Sequence, residues 1–301
     1  MTSKFDELTK AMAQSVTRRA ALKKFGLGLA GLGLAKLGVH QAQAITNGTL
    51  DGDAHPNVGG VVWLVSPRPA TPPPVVCGSG TLIHPRVYLT TGHGTFLVES
   101  MAAQGALTVQ DDILVSFADD DADPATWRAV SGILTHPDFV PQTSSSADVG
   151  VLILKDPVRD LPLVPLPPQG FLNALAAADK LKTGSDGARF AVVGYGVEPG
   201  KNPGQLPFPP DGLRRVAYAE FQNLHDRWLY TDQKVAHDNG GSCNCDSGGP
   251  LFHVDPVTGQ ETLVAVVSRG SLSTSHDYRV DTEEALSFLN AVIAMVEAGG
   301  L

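Results

Sequence analysis

The chain has 301 residues, 22 Lys+Arg against 31 Asp+Glu and a formal net charge of −9. Seven of the basic and two of the acidic residues precede Ile45, leaving 15 basic against 29 acidic residues in the remaining 257, a net charge of −14. That balance argues against nucleic acid as a partner, since phosphates need a basic surface, and the length suits one large domain or two small fused ones.

In chain order, Thr17-Arg18-Arg19-Ala20 opens a basic region, a glycine-rich apolar run covers 25–39, and Ala42-Gln43-Ala44 closes it. This ordering reads as an export signal over 1–44, and paired arginines with Lys36 inside a modest apolar core favour the twin-arginine route. A membrane span needs about 20 apolar residues, so no stable membrane anchor is expected. Signal peptidase and the twin-arginine machinery are then partners, and the product is periplasmic or secreted from a bacterial cell.

Beyond Ile45, short β-rich runs at 58–65, 80–83, 87–91, 113–117, 149–154, 190–193 and 263–268 are separated by Gly, Pro and Asp. Many short strands with turn signals predict an all-β sandwich or barrel. The stretch 155–170 holds Pro157, Pro162, Pro165, Pro167 and Pro168 and reads as a connection between two halves. A second Pro/Gly-rich stretch, 198–212, reads as a long surface loop. Only the C-terminus is clearly helical: Asp281 or Thr282 caps it, and Leu286, Leu289, Ile293 and Val296 share a face with Phe288 and Val292 beside it. The acidic run Asp119-Asp120-Asp121-Ala122-Asp123 reads as a solvated loop rather than a calcium site, and no metal or cofactor is expected. Three cysteines leave at least one without a partner in the chain.

The most informative stretch is Cys245-Asp246-Ser247-Gly248-Gly249-Pro250-Leu251-Phe252, where glycines let a tight loop present a serine. A plain surface turn has the same composition. Nucleophilic serine chemistry also needs a base, and a carboxylate to hold that base in the right tautomer. Leu89-Thr90-Thr91-Gly92-His93-Gly94 offers the base after one β run, and Ala147-Asp148-Val149-Gly150 the carboxylate at the start of another. Taken alone, His93 reads as a structural histidine and Asp148 as a strand start.

The order His93, Asp148, Ser247 resembles that of the chymotrypsin (trypsin-like) serine proteases. Cys77-Gly78-Ser79-Gly80-Thr81-Leu82-Ile83 is similar to that family's strand before the histidine, and 148–154 to its Asp-Ile-Ala-Leu-Leu. Val193-Gly194-Tyr195-Gly196 resembles its Gly-Trp-Gly turn, and Ser268-Arg269-Gly270 its substrate-binding strand. The resemblance implies two six-stranded antiparallel β-barrels with a C-terminal helix, divided as 45–160 and 161–301. It implies an endopeptidase whose catalytic residues are His93, Asp148 and Ser247, with Cys245 and Ser247 amides as the oxyanion hole and peptides or proteins as substrates. His136 is a minor competitor for the base. In this family a freed N-terminus pairs with the aspartate before the serine, which implies an activation pair of Ile45 and Asp246, made here by signal removal itself.

Three departures bear on activity. Cys245 stands where the family has glycine, which keeps open a rival reading as a pseudoprotease that binds peptides without cutting them. The family places the strand of Cys77 beside the oxyanion loop, so the resemblance implies a Cys77–Cys245 disulfide; buried free thiols are the alternative. The resemblance places the pocket floor at Gly241, followed by Ser242, and implies Ser268, Arg269, Gly270 and His276 as further substrate-binding positions. Without a carboxylate at Gly241, an apolar side chain is favoured over Lys or Arg.

Overall fold

The computed structural model describes residues 45–65, 74–120, 123–141, 143, 147–184, 187–196, 212–271 and 273–301. The export segment 1–44, part of the acidic run (121–122) and most of the 198–212 stretch lie outside the described residues. Thirteen strands are described: β1 (Thr49–Leu50), β2 (Val58–Trp63), β3 (Val75–His84), β4 (Val87–Thr90), β5 (Ile113–Ser116), β6 (Trp127–Thr135), β7 (Gly150–Leu154), β8 (Arg189–Gly194), β9 (Arg215–Leu224), β10 (Trp228–Asp232), β11 (Pro250–Val254), β12 (Glu261–Ser271) and β13 (Thr274–Arg279). The first barrel closes in the order β2-β3-β4-β7-β6-β5, and the second as β9-β10-β13-β12-β11-β8 through a β8–β9 pairing, with β1 added outside β9. All pairings are antiparallel. This is the expected pair of six-stranded barrels.

Alternation along β7 explains why its sequence is a continuous apolar run rather than a half-polar strand. Leu152 and Leu154 point into the first barrel with Leu82, Tyr88 and Val115. Val151 and Ile153 point the other way, into a cluster with Val193, Val266, Tyr278 and Leu289 that joins the barrels and the C-terminal helix. Residues 155–170 then cross without helix or strand, fastened by Val158 N–H to Pro85 O and Val164 N–H to Leu82 O.

Helices are more numerous than expected. Besides the C-terminal one, the chain forms α1 (Gly92–Ala103), α2 (Val109–Asp112) and α3 (Phe171–Ala177); the last is α4 (Glu283–Glu297). In α1 only Gly92, Thr95 and Val98 are buried, so no apolar periodicity marks it in the sequence. The cap of α4 is Thr282, whose hydroxyl accepts the Ala285 N–H, and Ala285, Leu289, Val292 and Val296 form its buried stripe. No described helix is long and apolar enough to cross a membrane.

A buried polar clamp ties the segment after Ile45 to both barrels. The Arg214 guanidinium pairs with Asp51 at 2.8 Å and also donates to the carbonyls of Val58 and Phe117 and the Tyr195 hydroxyl. His55 bridges Asp51 (2.5 Å) and Glu261 on β12 (2.8 Å). Burial disfavours its charge, but the two carboxylates prevail and raise its pKa to about 9. The His55 contribution to the clamp is therefore fully present at pH 6.5 and is lost as pH rises through about 9.

Candidate active site

His93 enters on the first turn of α1. The chain turns in at Thr91, whose hydroxyl accepts the Gly94 N–H, and Gly92 lets the helix start against the segment before β7. A Cβ on Gly92 would sit 3.0 Å from Val149 N and 3.1 Å from Ala147 O, pushing His93 away from Asp148. The Asp148 carboxylate meets His93 twice. Its Oδ1 accepts the backbone N–H at 2.7 Å, and Nδ1 of the ring lies 2.9 Å from Oδ2. Ser268 on β12 donates its hydroxyl to the same Oδ2. Burial pushes the Asp148 carboxyl up, but His93 and Ser268 together hold it below the ordinary 3.8. Burial likewise works against a charged His93, yet Asp148 outweighs it and raises the His93 pKa above 6.5; Arg269 opposes that rise.

The loop of Ser247 is pinned from three sides. Ser79 N–H donates to Ser247 O at 2.8 Å, Gly78 N–H to Cys245 O at 3.1 Å, and Gly248 N–H to Val267 O at 2.8 Å. Gly248 has φ +91°, and a Cβ there would fall 2.1 Å from Thr90 Oγ1. The residue after the serine thus packs on the strand end that leads into His93, and on β12 one residue before Ser268. Among the described residues no hydrogen bond links Ser247 Oγ to His93, and the amides of Cys245 and Ser247 donate to no protein acceptor. Two unpaired N–H groups beside an available serine hydroxyl suit an incoming oxyanion. His136 lies elsewhere: its ring packs on Phe288, and its Nδ1 accepts the Asp138 N–H.

Compared with known families, residues 63–290 match the family model described as Trypsin, most of the chain. The chain belongs to the trypsin family. It is thereby a member of a family of serine-type peptidases. No curated protein matches it.

Against the trypsin-family pattern, the disulfide departure is resolved: Cys77 and Cys245 are bonded, with Cα atoms 4.5 Å apart, and Cys243 stays outside the bond. Cys245 has φ +70°, a left-handed conformation that glycine adopts freely and a Cβ resists. The residue keeps the backbone shape of a glycine, and the disulfide fastens it to β3.

Asp246 is fully buried, and its two oxygens accept N–H groups of Gly196 and Cys243, each at 2.7 Å. Burial outweighs these bonds and the charge of Arg215 and pushes the carboxyl up to about 7. Ile45 is also fully buried, and Thr46 forms a two-way bridge with Gly241, but among the described residues no hydrogen bond joins Ile45 to Asp246.

Of the expected substrate-binding positions, Gly241 is packed beneath Gln233, where a Cβ would lie 2.2 Å from its Oε1. Ser242 is buried and hydrogen-bonded to Ser275 at 3.0 Å. Arg269 is exposed, with its guanidinium 4.4 Å from the Trp228 ring, and Gly270 beside it is exposed as well. His276 pairs opposite Arg269 and its ring packs, tilted, against Tyr230, so strand alternation turns it away from the face that carries Ser275 and Asp277. Sequence reasoning did not single out Ser275 and Asp277, which are buried polar residues joined by a hydrogen bond. The signal was there as a Ser-x-Asp period in a strand, but nothing in the chain places it beside residue 242.

Proposed function

We propose that the chain is an exported endopeptidase in which Ser247, His93 and Asp148 hydrolyse peptide bonds through an acyl-enzyme. Ser247 Oγ attacks the carbonyl carbon while His93 Nε2 takes its proton. The amides of Cys245 and Ser247 stabilise the oxyanion, and the protonated His93 hands its proton to the leaving amine. Water then repeats the cycle in reverse on the acyl group. The observation that carries this reading is the bidentate grip of Asp148 on His93, which fixes Nδ1 as the protonated nitrogen and leaves Nε2 as the base. Serine–histidine contacts in empty sites are often long and tighten with substrate. A fluorophosphonate probe tests the reading: protein starting at Ile45 is expected to be labelled under oxidising conditions, and Ser247→Ala not. Absence of labelling in the unaltered protein would favour peptide binding without cleavage.

The disulfide belongs to this reading as the clamp of the oxyanion loop. Cys77→Ser leaves Cys245 with an unfavourable backbone angle and no tether, which costs about 1–2 kcal/mol and lowers kcat about tenfold or more. Cys77→Ser with Cys245→Gly removes the bond but restores a residue at ease with φ +70°, so kcat recovers. Equal kcat for the Cys77→Ser protein and the unaltered one, measured by burst-corrected hydrolysis, would refute the clamp.

Activation is the second part of the proposal: signal peptidase, acting after twin-arginine export, cuts before Ile45 and frees an ammonium for Asp246. Two features support it. Asp246 is a buried carboxyl with no ion pair among the described residues, and Ile45 holds φ +57°, a backbone angle unfavourable for a β-branched residue. A residue with a free amino terminus has no φ torsion to hold, so cutting before Ile45 releases that restraint.

A further inference from the structure

We propose that the Cys77–Cys245 bond is a redox switch: a dithiol reductant opens it and withdraws the Cys245 amide from the oxyanion hole, and reoxidation restores the loop. The switch acts on the site of the endopeptidase reading and rests on that reading for its effect on turnover.

The shape of the serine loop is conditional on this bond. Cys245 holds φ +70°, a left-handed angle that a residue with a Cβ keeps only under outside restraint. The glycine that the trypsin family carries at this position needs no restraint. Here it comes from β3. Cys77 on that strand is bonded to Cys245, with Cα atoms 4.5 Å apart, and its neighbour Gly78 donates its N–H to Cys245 O at 3.1 Å. With the carbonyl side of Cys245 held by Gly78, a return of φ to negative values swings the peptide on the other side, which carries the Cys245 N–H. The same swing opens the turn in which Asp246 N–H donates to Cys243 O at 3.2 Å. Ser247 is held separately, by Ser79 N–H on its carbonyl and by Gly248 N–H on Val267 O. Reduction therefore removes one oxyanion donor and leaves the nucleophile in place.

Reagents can reach the bond. Cys77 and Cys245 are half-buried, and Asn244 beside Cys245 is exposed. Accessible disulfides exchange with thiols, whereas buried ones act as permanent staples. Both barrels close through their own antiparallel ladders and share an apolar cluster, so the fold does not depend on this bond. In the exchange, one thiolate of the dithiol attacks a sulfur, the Sγ–Sγ bond breaks, and the other cysteine leaves as a thiolate and takes up a proton. The second thiol of the reagent then displaces the cysteine still attached. Two electrons pass to the protein, and the dithiol is oxidised to its disulfide. Cys243 lies outside the bond and is not needed for the exchange.

Dithiothreitol tests the switch on protein starting at Ile45, with alkylation and mass mapping to follow each cysteine. As Cys77 and Cys245 become thiols, kcat for a peptide substrate is expected to fall about tenfold or more with KM little changed, because an oxyanion donor acts in the transition state. Reoxidation should restore kcat, and Cys243→Ser should respond in the same way. Cys77→Ser is expected to be as slow as the reduced protein and indifferent to dithiothreitol. An undiminished kcat after reduction, a loss that reoxidation does not reverse, a further loss in Cys77→Ser, or reduction only in denaturant would overturn the proposal. Hydrogen exchange in Ser247→Ala protein reads the loop without turnover. Reduction should speed exchange of the Asp246 amide and leave the barrel strands protected, and an unchanged Asp246 amide would overturn the proposal. Faster exchange there with no peptide cleavage in either redox state would support the switch in the loop and refute the endopeptidase reading.

Discussion

Alanine at Ser247 is expected to lower kcat toward a good peptide substrate by about 10⁶-fold, and alanine at His93 by a similar factor. The two changes together should cost no more than either alone, because nucleophile and base act as one unit. Asp148→Asn is expected to cost about 10⁴-fold: asparagine keeps the space but turns His93 to the wrong tautomer. The pH profile separates this role from a structural one. Asp148 raises the His93 pKa, and only neutral His93 can accept the serine proton, so kcat/KM should rise with pH through a midpoint above 6.5. Removing the carboxylate moves that midpoint down. A kcat within tenfold of the unaltered value for Ser247→Ala, or an unchanged midpoint for Asp148→Asn, would refute the assignment.

Much of the fold is readable in the chain because its barrels are built from short β-branched runs with both faces buried, as in β4 and β7. Strands such as β9, β10 and β13 are less visible, since Arg215, Glu220, Asp232, His276 and Asp277 break the apolar pattern, and several of these polar residues are buried by partners far along the sequence. α1 escapes for the opposite reason: it starts on Gly-His-Gly and lies lightly on the barrel. The candidate site divides the same way. His93, Asp148 and Ser247 sit in local motifs, whereas the Ser268 hydroxyl on Asp148 and the Ser242–Ser275–Asp277 chain depend on the β12–β13 register. Register is a tertiary quantity, and no spacing in the sequence encodes it.

Protein beginning at Ile45 is expected to exceed an otherwise identical form with a few residues before Ile45 by roughly 150- to 5000-fold in kcat/KM, the factor that matches about 3–5 kcal/mol for a buried charge left without its partner. Stability should tell the same story independently of turnover. In the extended form Asp246 has a folded pKa of about 7 against 3.8 unfolded. The unfolded chain therefore sheds this proton first, and the extended form loses stability as pH rises from about 4 to about 7, by roughly 4 kcal/mol from this group. An ammonium at Ile45 makes the charged carboxylate the favoured form and removes that loss. Urea melts of Ser247→Ala protein in both forms, at pH 4.5 and pH 7.5, measure the difference without self-digestion. Asp246→Asn should flatten the extended form's pH dependence and lower the activity of the form starting at Ile45. If both forms cut peptides equally well and share one pH–stability curve, Ile45 is an ordinary first residue and Asp246 needs no cation. If they differ as expected, the loop that presents Ser247 answers to two tethers made after folding begins: the bond from Cys245 to β3 and the ion pair from Asp246 to a new chain end. An enzyme folded before export would then remain harmless to the cell that made it, because its oxyanion loop is completed only by the cut that releases it.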